Sequence, residues 1–321
     1  MPILETQHDF GHVIETDLNW SESYYFNGYS PTSKVGLFAR IAIRPNEPYI
    51  DGFISLWLPN GEVVRIVDAS SGEIPDPGQP SLAAIQFERI TPMERWRVRG
   101  VGQANDGCKL TVDVTFNALT PAFGIDASTR NYSGSAKTVV HSLASGHFEQ
   151  AGRWQGEIIH GVSRYAFEGH GNRDKSWGPR RTDGAHGMRY WRWFSMNFGD
   201  DIHFGGIRIG TADGDMQRGW LCRAGQYDSV RGLDVKTSFA ADGIHQQRLI
   251  VTARNKTNDT FSIQGQVLHS TPLIARGHEH MRIIEGLTQW TFENRMGYGI
   301  CEYAHQLDAD GTPVVIVENC G

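Results

Sequence analysis

Cysteine is sparse in this chain of 321 residues: Cys108, Cys222, Cys301 and Cys320 stand far apart and share no paired spacing. That excludes a disulfide-stapled scaffold and a zinc ribbon, and predicts reduced thiols in a cytoplasmic protein. Basic charge is also in deficit. Lys and Arg number 30 against 36 Asp and Glu, a formal net charge of −6, so the chain carries no electrostatic footprint for nucleic acid. No window approaches the roughly 18 apolar residues of a membrane-spanning helix. The N-terminus up to His8 has no basic segment leading into an apolar run, so a secretory leader is not expected. Helical periodicity is missing as well: no stretch keeps an amphipathic helical pattern beyond about two turns.

What is present is period-two alternation broken by glycine. Glycine numbers 37, aromatic residues reach 11%, and nine are tryptophan, the usage of many short strands joined by tight turns. Leu37, Ala39, Ile41 and Ile43 alternate with Phe38, Arg40, Ala42 and Arg44. Asn60-Gly61 joins two apolar runs as a hairpin, and Asn105-Asp106-Gly107 links two more. Leu110, Val112, Val114 and Phe116 share a face. Residues 70–80, with four prolines and glycines in the second half, form a loop. Residues 121–147 lose the pattern and predict a long connection or crossing. Strands resume at 148–149, 155–159 and 164–168, and then recur from 190 to 306, with a last apolar run at 314–318. Residues 1–20 are polar and predict a surface wrap or frayed end. The fold class is all-β.

The two halves echo each other. Tyr24-Tyr25-Phe26-Asn27, Arg40-Ile41 and Gly52-Phe53 recur as Phe194-Ser195-Met196-Asn197, Arg208-Ile209 and Gly219-Trp220, at offsets of 170, 168 and 167. Phe167-Glu168 and Phe292-Glu293 each precede a glycine-rich strand. A fixed offset over short strands indicates duplication, and duplicated antiparallel units of this size predict two barrels or sandwiches. The segment 182–187 reads as the linker, giving domains 1–181 and 182–321.

One stretch concentrates chemistry: Glu168-Gly169-His170-Gly171-Asn172-Arg173-Asp174-Lys175-Ser176-Trp177-Gly178-Pro179-Arg180-Arg181. Extended, it places His170, Asn172, Asp174 and Ser176 on one face and Arg173, Lys175 and Trp177 on the other. Gly, Asn and Asp also serve tight turns, so from spacing alone the segment reads as either a turn or a site.

Within it, residues 171–180 resemble the hallmark of the tandem lipocalin-like family containing carotenoid 1,2-hydratase (hydroxyneurosporene synthase), tocopherol cyclase-like proteins and fungal Diels–Alderases. Tyr25-Phe26-Asn27-Gly28-Tyr29, residues 189–198 and Gly297-Tyr298-Gly299-Ile300-Cys301-Glu302-Tyr303 look like further shared segments. Lys175 departs from the pattern, where His is common. The resemblance is closest to uncharacterised bacterial members. It implies two lipocalin-like antiparallel β-barrels in tandem meeting at an apolar pocket, and cyclisation, hydration or addition chemistry on greasy polyenes without a redox cofactor. It makes Asp174 the matching proton donor.

Such chemistry needs a strong acid, a dry site and electron-rich groups to hold a cation. A carboxylic acid serves when burial keeps it protonated, and Asp174 is the candidate. His170 is a second, to relay a proton or position water, unless it is simply bonded to backbone; Glu302 is a fallback acid or a salt-bridge partner. Tyr25, Trp57, Trp177, Trp191, Trp193, Phe204, Trp220 and Tyr298 are candidates to line the site, each weighed against plain core packing. Three well-placed rings at about 1 kcal/mol each give on the order of a hundredfold in rate. Arg40 and Arg208 read as repeated structural ion pairs. His278-Glu279-His280 with His269 invites a metal, but no third ligand stands at a telling spacing, so no metal and no cofactor are expected. The expected function is a cofactor-independent hydratase, cyclase or isomerase acting on a terpenoid or polyene. Its alternative is a non-catalytic carrier of a lipophilic molecule, and contact with a membrane surface would help either collect its ligand.

Overall fold

The structure is a computed structural model describing residues 4–72, 76–126, 142–181, 188–211, 214–273 and 281–314. The expected linker at 182–187, the segment 278–280 and the run 315–318 lie outside the described residues. The chain divides into two compact units, 1–130 with 144–180, and 131–143 with 181–321.

Both are antiparallel β, as the alternation predicts, and each is lipocalin-like. Unit one contains β1 (Trp20–Ser30), β2 (Val35–Arg44), β3 (Tyr49–Trp57), β4 (Val63–Ser71), β5 (Ile85–Thr91), β6 (Arg95–Gln103), β7 (Lys109–Ala118), β8 (Phe123–Asp126), β9 (Gly146–His160), β10 (Ser163–Ala166) and β11 (Gly169–Pro179). Unit two contains β12 (Tyr190–Asn197), β13 (Ile202–Thr211), β14 (Gly214–Arg223), β15 (Gln226–Phe239), β16 (Gln246–Asn255), β17 (Thr260–Pro272), β18 (Met281–Phe292) and β19 (Arg295–Gln306).

The second unit is a closed barrel in strand order β12 to β19. The first is a curled sheet in the order β4-β3-β2-β1-β11-β9-β7-β6-β5, whose outer strands are not laddered together. The reason lies in one strand. In the closed barrel β15 pairs with β14 through its first residues and with β16 through the rest. In unit one the corresponding span is cut into β4, which pairs with β3, and β5, which pairs with β6. The proline- and glycine-bearing loop between them cannot continue a ladder. Isolated hydrogen bonds bridge the gap instead: Asp68 Oδ2 accepts the Ala84 N–H at 2.7 Å, Asn105 Oδ1 accepts the Arg65 N–H at 2.7 Å, and the Asn105 N–H donates to the Arg65 carbonyl at 3.1 Å.

Counting β4 and β5 as one broken strand and omitting β8 and β10, the pairings β1-β2-β3-(β4/β5)-β6-β7-β9-β11 repeat as β12 through β19. Glycines mark the shared register. A Cβ at Gly169 would lie 1.9 Å from the Tyr29 carbonyl oxygen and one at Gly297 2.2 Å from that of Asn197, while Gly171 and Gly299 stand likewise against Asn27 at 1.9 Å and Ser195 at 1.8 Å. Tyr29 is therefore equivalent to Asn197 and Asn27 to Ser195, an offset of 168 rather than the 170 read from Tyr24 and Phe194, and Trp154 opposite Gly169 recurs as Trp290 opposite Gly297. Arg40 and Arg208 are not equivalent. Arg208 pairs in register with Arg192, which is the counterpart of Tyr24, and the partner of Tyr24 is Ile41. Each arginine nonetheless pairs with an aspartate on the next strand, Arg40 with Asp51 at 3.6 Å and Arg208 with Asp215 at 2.6 Å.

Each unit has its own apolar core. Tyr24, Phe26, Leu37, Ile41, Trp96, Val112, Phe116 and Trp154 belong to the first, and Phe194, Met196, Phe204, Leu233, Trp290 and Tyr303 to the second. The N-terminal segment runs along the surface for most of its length, as expected, but its 3-10 turn, Thr6–Asp9, drives Asp9 to complete burial.

Candidate functional site

The hallmark stretch is β11, and its two faces have opposite duties. Arg173, Lys175 and Trp177 project to the core side. Arg173, 2% exposed, donates through Nη1 to Asp9 Oδ1 at 2.6 Å and through Nε to Gln150 Oε1 at 2.7 Å. Lys175 Nζ donates to Glu22 and to the Phe10 carbonyl. Burial pushes the Lys175 ammonium down to about 8, with Glu22 opposing the shift. Trp177 stacks on His12 with ring centroids 3.7 Å apart. The buried charges on this face are thus paired and hydrogen-bonded to one another. Trp177, expected to line the site, sits on the far side of the strand from Asp174.

The other face presents a grid set by the ladders. Its rows, read from β9 through β11, β1 and β2 to β3, are His147-Ser176-Ser23-Ala42-Asp51, then Glu149-Asp174-Tyr25-Arg40-Phe53, then Ala151-Asn172-Asn27-Phe38-Ser55, then Arg153-His170-Tyr29-Gly36-Trp57. Side chains opposite one another in a row stand about 5 Å apart. β1 and β2 are buried along both faces, so this grid is a largely dry surface.

At its edge the structure brings to Asp174 a histidine that the sequence did not single out. His147 Nε2 and Asp174 Oδ2 share a hydrogen bond, and Glu149 Oε1 lies 3.8 Å from the same nitrogen. The side chains of His147, Asp174 and Glu149 are 32%, 18% and 6% exposed. The pair is therefore reachable without being solvated freely. His170 shares the face but stands four residues along the strand, about 13 Å away; it does not serve Asp174. The three groups each offer a ligand atom within 4.8 Å of the others, a spacing that suits a divalent cation as well as a shared proton. His147 and Glu149 lie outside the hallmark, 27 and 25 positions before Asp174 by residue number. A signal existed in the alternation of 147 and 149 once β9 is set against β11, but no local motif carries it.

The aromatic candidates separate by location. Tyr25 neighbours Asp174 directly in its row. Trp57 sits two rows away, packed on Phe38 at 4.5 Å, and its buried indole nitrogen has no hydrogen-bond acceptor among the described residues. Arg40 Nε donates to Ser23 Oγ at 3.2 Å beside Tyr25. Phe204 is core of the second unit, edge-on to Phe261.

In unit two, Trp191, Trp193, Trp220 and Tyr298 lie on the face opposite the core. Glu302 accepts the Trp191 indole N–H at 2.6 Å, and Trp193 is its in-register neighbour on β12. Trp220 packs edge-on to Tyr227, and Tyr298 receives a hydrogen bond from Gln289 at 3.3 Å. By the shared register Tyr25 corresponds to Trp193, so the counterpart of Asp174 is Glu302 and a carboxylate stands at the same place in both units.

A family model described as a domain of unknown function (DUF7064) matches residues 5–307. No curated protein matches the sequence. Among solved structures, an AttH-like protein from Nitrosomonas europaea aligns with a TM-score of 0.65 at 16% identity, over 92% of this chain and 97% of the other. Kievitone hydratase from Nectria haematococca aligns with a TM-score of 0.59 at 13% identity, over 88% of each chain. CghA aligns with a TM-score of 0.55 at 10% identity, over 92% of this chain and 93% of the other. At these identities the likeness shows the fold, and it is the tandem lipocalin-like fold that the resemblance implies.

Proposed function

The chain belongs to the family described as a domain of unknown function (DUF7064), and from that premise we propose a cofactor-independent hydratase, cyclase or isomerase acting by acid–base catalysis on an apolar unsaturated substrate such as a terpenoid or polyene. The observation that carries the reading is the His147–Asp174 hydrogen bond at the edge of a buried, partly aromatic strand face. A lipophilic carrier has little use for an imidazole and two carboxylates packed together there. The fold likeness to a hydratase adds support.

The expected lone carboxylic acid becomes a pair sharing one proton. In the forward step the pair delivers that proton to an alkene carbon; the π electrons form the new C–H bond, and positive charge develops on the neighbouring carbon. Tyr25 is placed to face that charge, with Phe38, Phe53 and Trp57 forming the apolar bed beyond. Water, a hydroxyl of the substrate or a second alkene captures the cation, or a neighbouring C–H gives up its proton. Capture by an alkene moves the charge to a new carbon, and addition of water or a hydroxyl there or at the first carbon, or loss of a neighbouring proton, returns a proton to the pair and closes the cycle.

The test is turnover and binding measured side by side on candidate polyenes and terpenoids, for the native protein and for Asp174→Asn and His147→Gln. A positioned general acid contributes roughly 10²–10⁴ in rate. Binding kept with turnover reduced by that factor supports the enzyme. Binding equal in all three proteins, with turnover in none, supports the carrier instead.

A further inference from the structure

We propose that Asp106, Cys108 and His160 form a binding site for a zinc-class transition-metal ion, remote from the acid–base pair. The turn between β6 and β7 closes through the Gly107 N–H to the Ala104 carbonyl at 2.9 Å, with Gly107 at φ 85°, a conformation glycine adopts without strain. Asp106 Oδ1 accepts the Cys108 N–H at 3.0 Å, which turns carboxylate and thiol to the same side. His160, the last residue of β9, is paired with Leu110 of β7, two residues past Cys108. Its Nε2 lies 2.7 Å from Asp106 Oδ2. Sulfur, imidazole nitrogen and carboxylate oxygen thus converge, from segments 54 positions apart, to within 4.8 Å of one another.

The donor set selects the ion. A thiolate and an imidazole suit zinc, cobalt or cadmium and disfavour calcium and magnesium, which take oxygen. Zinc bonds of about 2.0–2.3 Å place tetrahedral donors roughly 3.3–3.7 Å apart, so the His160–Asp106 contact needs to open by only about half an ångström. All three side chains reach solvent, and water completes the coordination. Without a metal, the Asp106 carboxylate holds the Cys108 thiol above its ordinary range. On binding, that thiol gives its proton to solvent and sulfur bonds the ion. The ion then clasps the β6–β7 turn to the end of β9.

The experiment uses the full, untagged chain kept reduced with a phosphine. Alkylation of Cys108 by iodoacetamide is followed by peptide mass spectrometry with and without zinc chloride, the buried Cys222 and Cys301 serving as internal references. Zinc should slow labelling of Cys108 at least tenfold. Cobalt(II) should give a thiolate charge-transfer band in the near ultraviolet that disappears in Cys108→Ser and weakens in His160→Gln. The His147, Glu149 and Asp174 group has no sulfur and cannot give that band. Labelling unchanged by zinc, or a cobalt band that survives Cys108→Ser, overturns the proposal.

Discussion

Replacing Asp9 by Ala tests how the first unit tolerates charge in its interior. The Asp9 carboxylate is fully buried and accepts from Arg173 Nη1 at 2.6 Å, the Met93 N–H at 2.5 Å and Trp96 Nε1 at 3.3 Å, with Arg89 Nε at 3.9 Å. Truncation leaves the Arg173 guanidinium in place at 2% exposure without its counter-ion, although Gln150 still holds it. Two further donors lose their acceptor. Breaking a buried pair from one side costs about 3–5 kcal/mol, which for a unit of this size lowers the melting temperature by about 10 °C. Urea unfolding followed by tryptophan fluorescence reports it, because Trp96 lies in the cluster. Asp9→Leu with Arg173→Met removes the fully buried pair together and should cost less than Asp9→Ala alone, since only the more exposed Arg89 then loses an anion. A loss under about 1 kcal/mol for Asp9→Ala, or a double variant as damaged as the single, would refute the account.

Four other outcomes follow from the same geometry. Asp174→Asn and His147→Gln should each lower turnover roughly 10²–10⁴-fold while leaving the melting temperature within a few degrees, read by calorimetry beside the rate assay. Gly171→Ala should destabilise by about 3 kcal/mol, because the added methyl meets a backbone carbonyl at 1.9 Å and the strands must part; unfolding in urea measures it. His305 is held down to about 3, first by burial and then by Arg192 beside it. The unfolded chain therefore binds a proton that the native barrel refuses between about pH 6.5 and pH 3, and stability falls as pH drops through that window, by up to about 5 kcal/mol. His305→Phe should flatten that part of the acid limb in a pH series of unfolding midpoints. EDTA should leave turnover unchanged; a rate lost to chelation and restored by zinc would route the chemistry through a cation on His147, Glu149 and Asp174.

Much of the architecture is legible in the chain because period-two alternation and glycine turns are local signals. The all-β class, the hairpin at Asn60-Gly61, the two-faced β11 and the duplicated glycine pairs all come from residues near one another in sequence. So does the prominence of Asp174, through the composition of its own segment. Three things are decided only by tertiary structure. Whether a barrel closes depends on one strand reaching both neighbours, which β15 does and the broken β4 and β5 do not. Asp9, in a segment that reads as a polar fringe, is buried because Arg173 on a distant strand needs an anion inside. The partner of Asp174 is His147 rather than the nearby His170, since along a strand four residues span about 13 Å, whereas a ladder sets residues far apart in sequence within a hydrogen bond of each other.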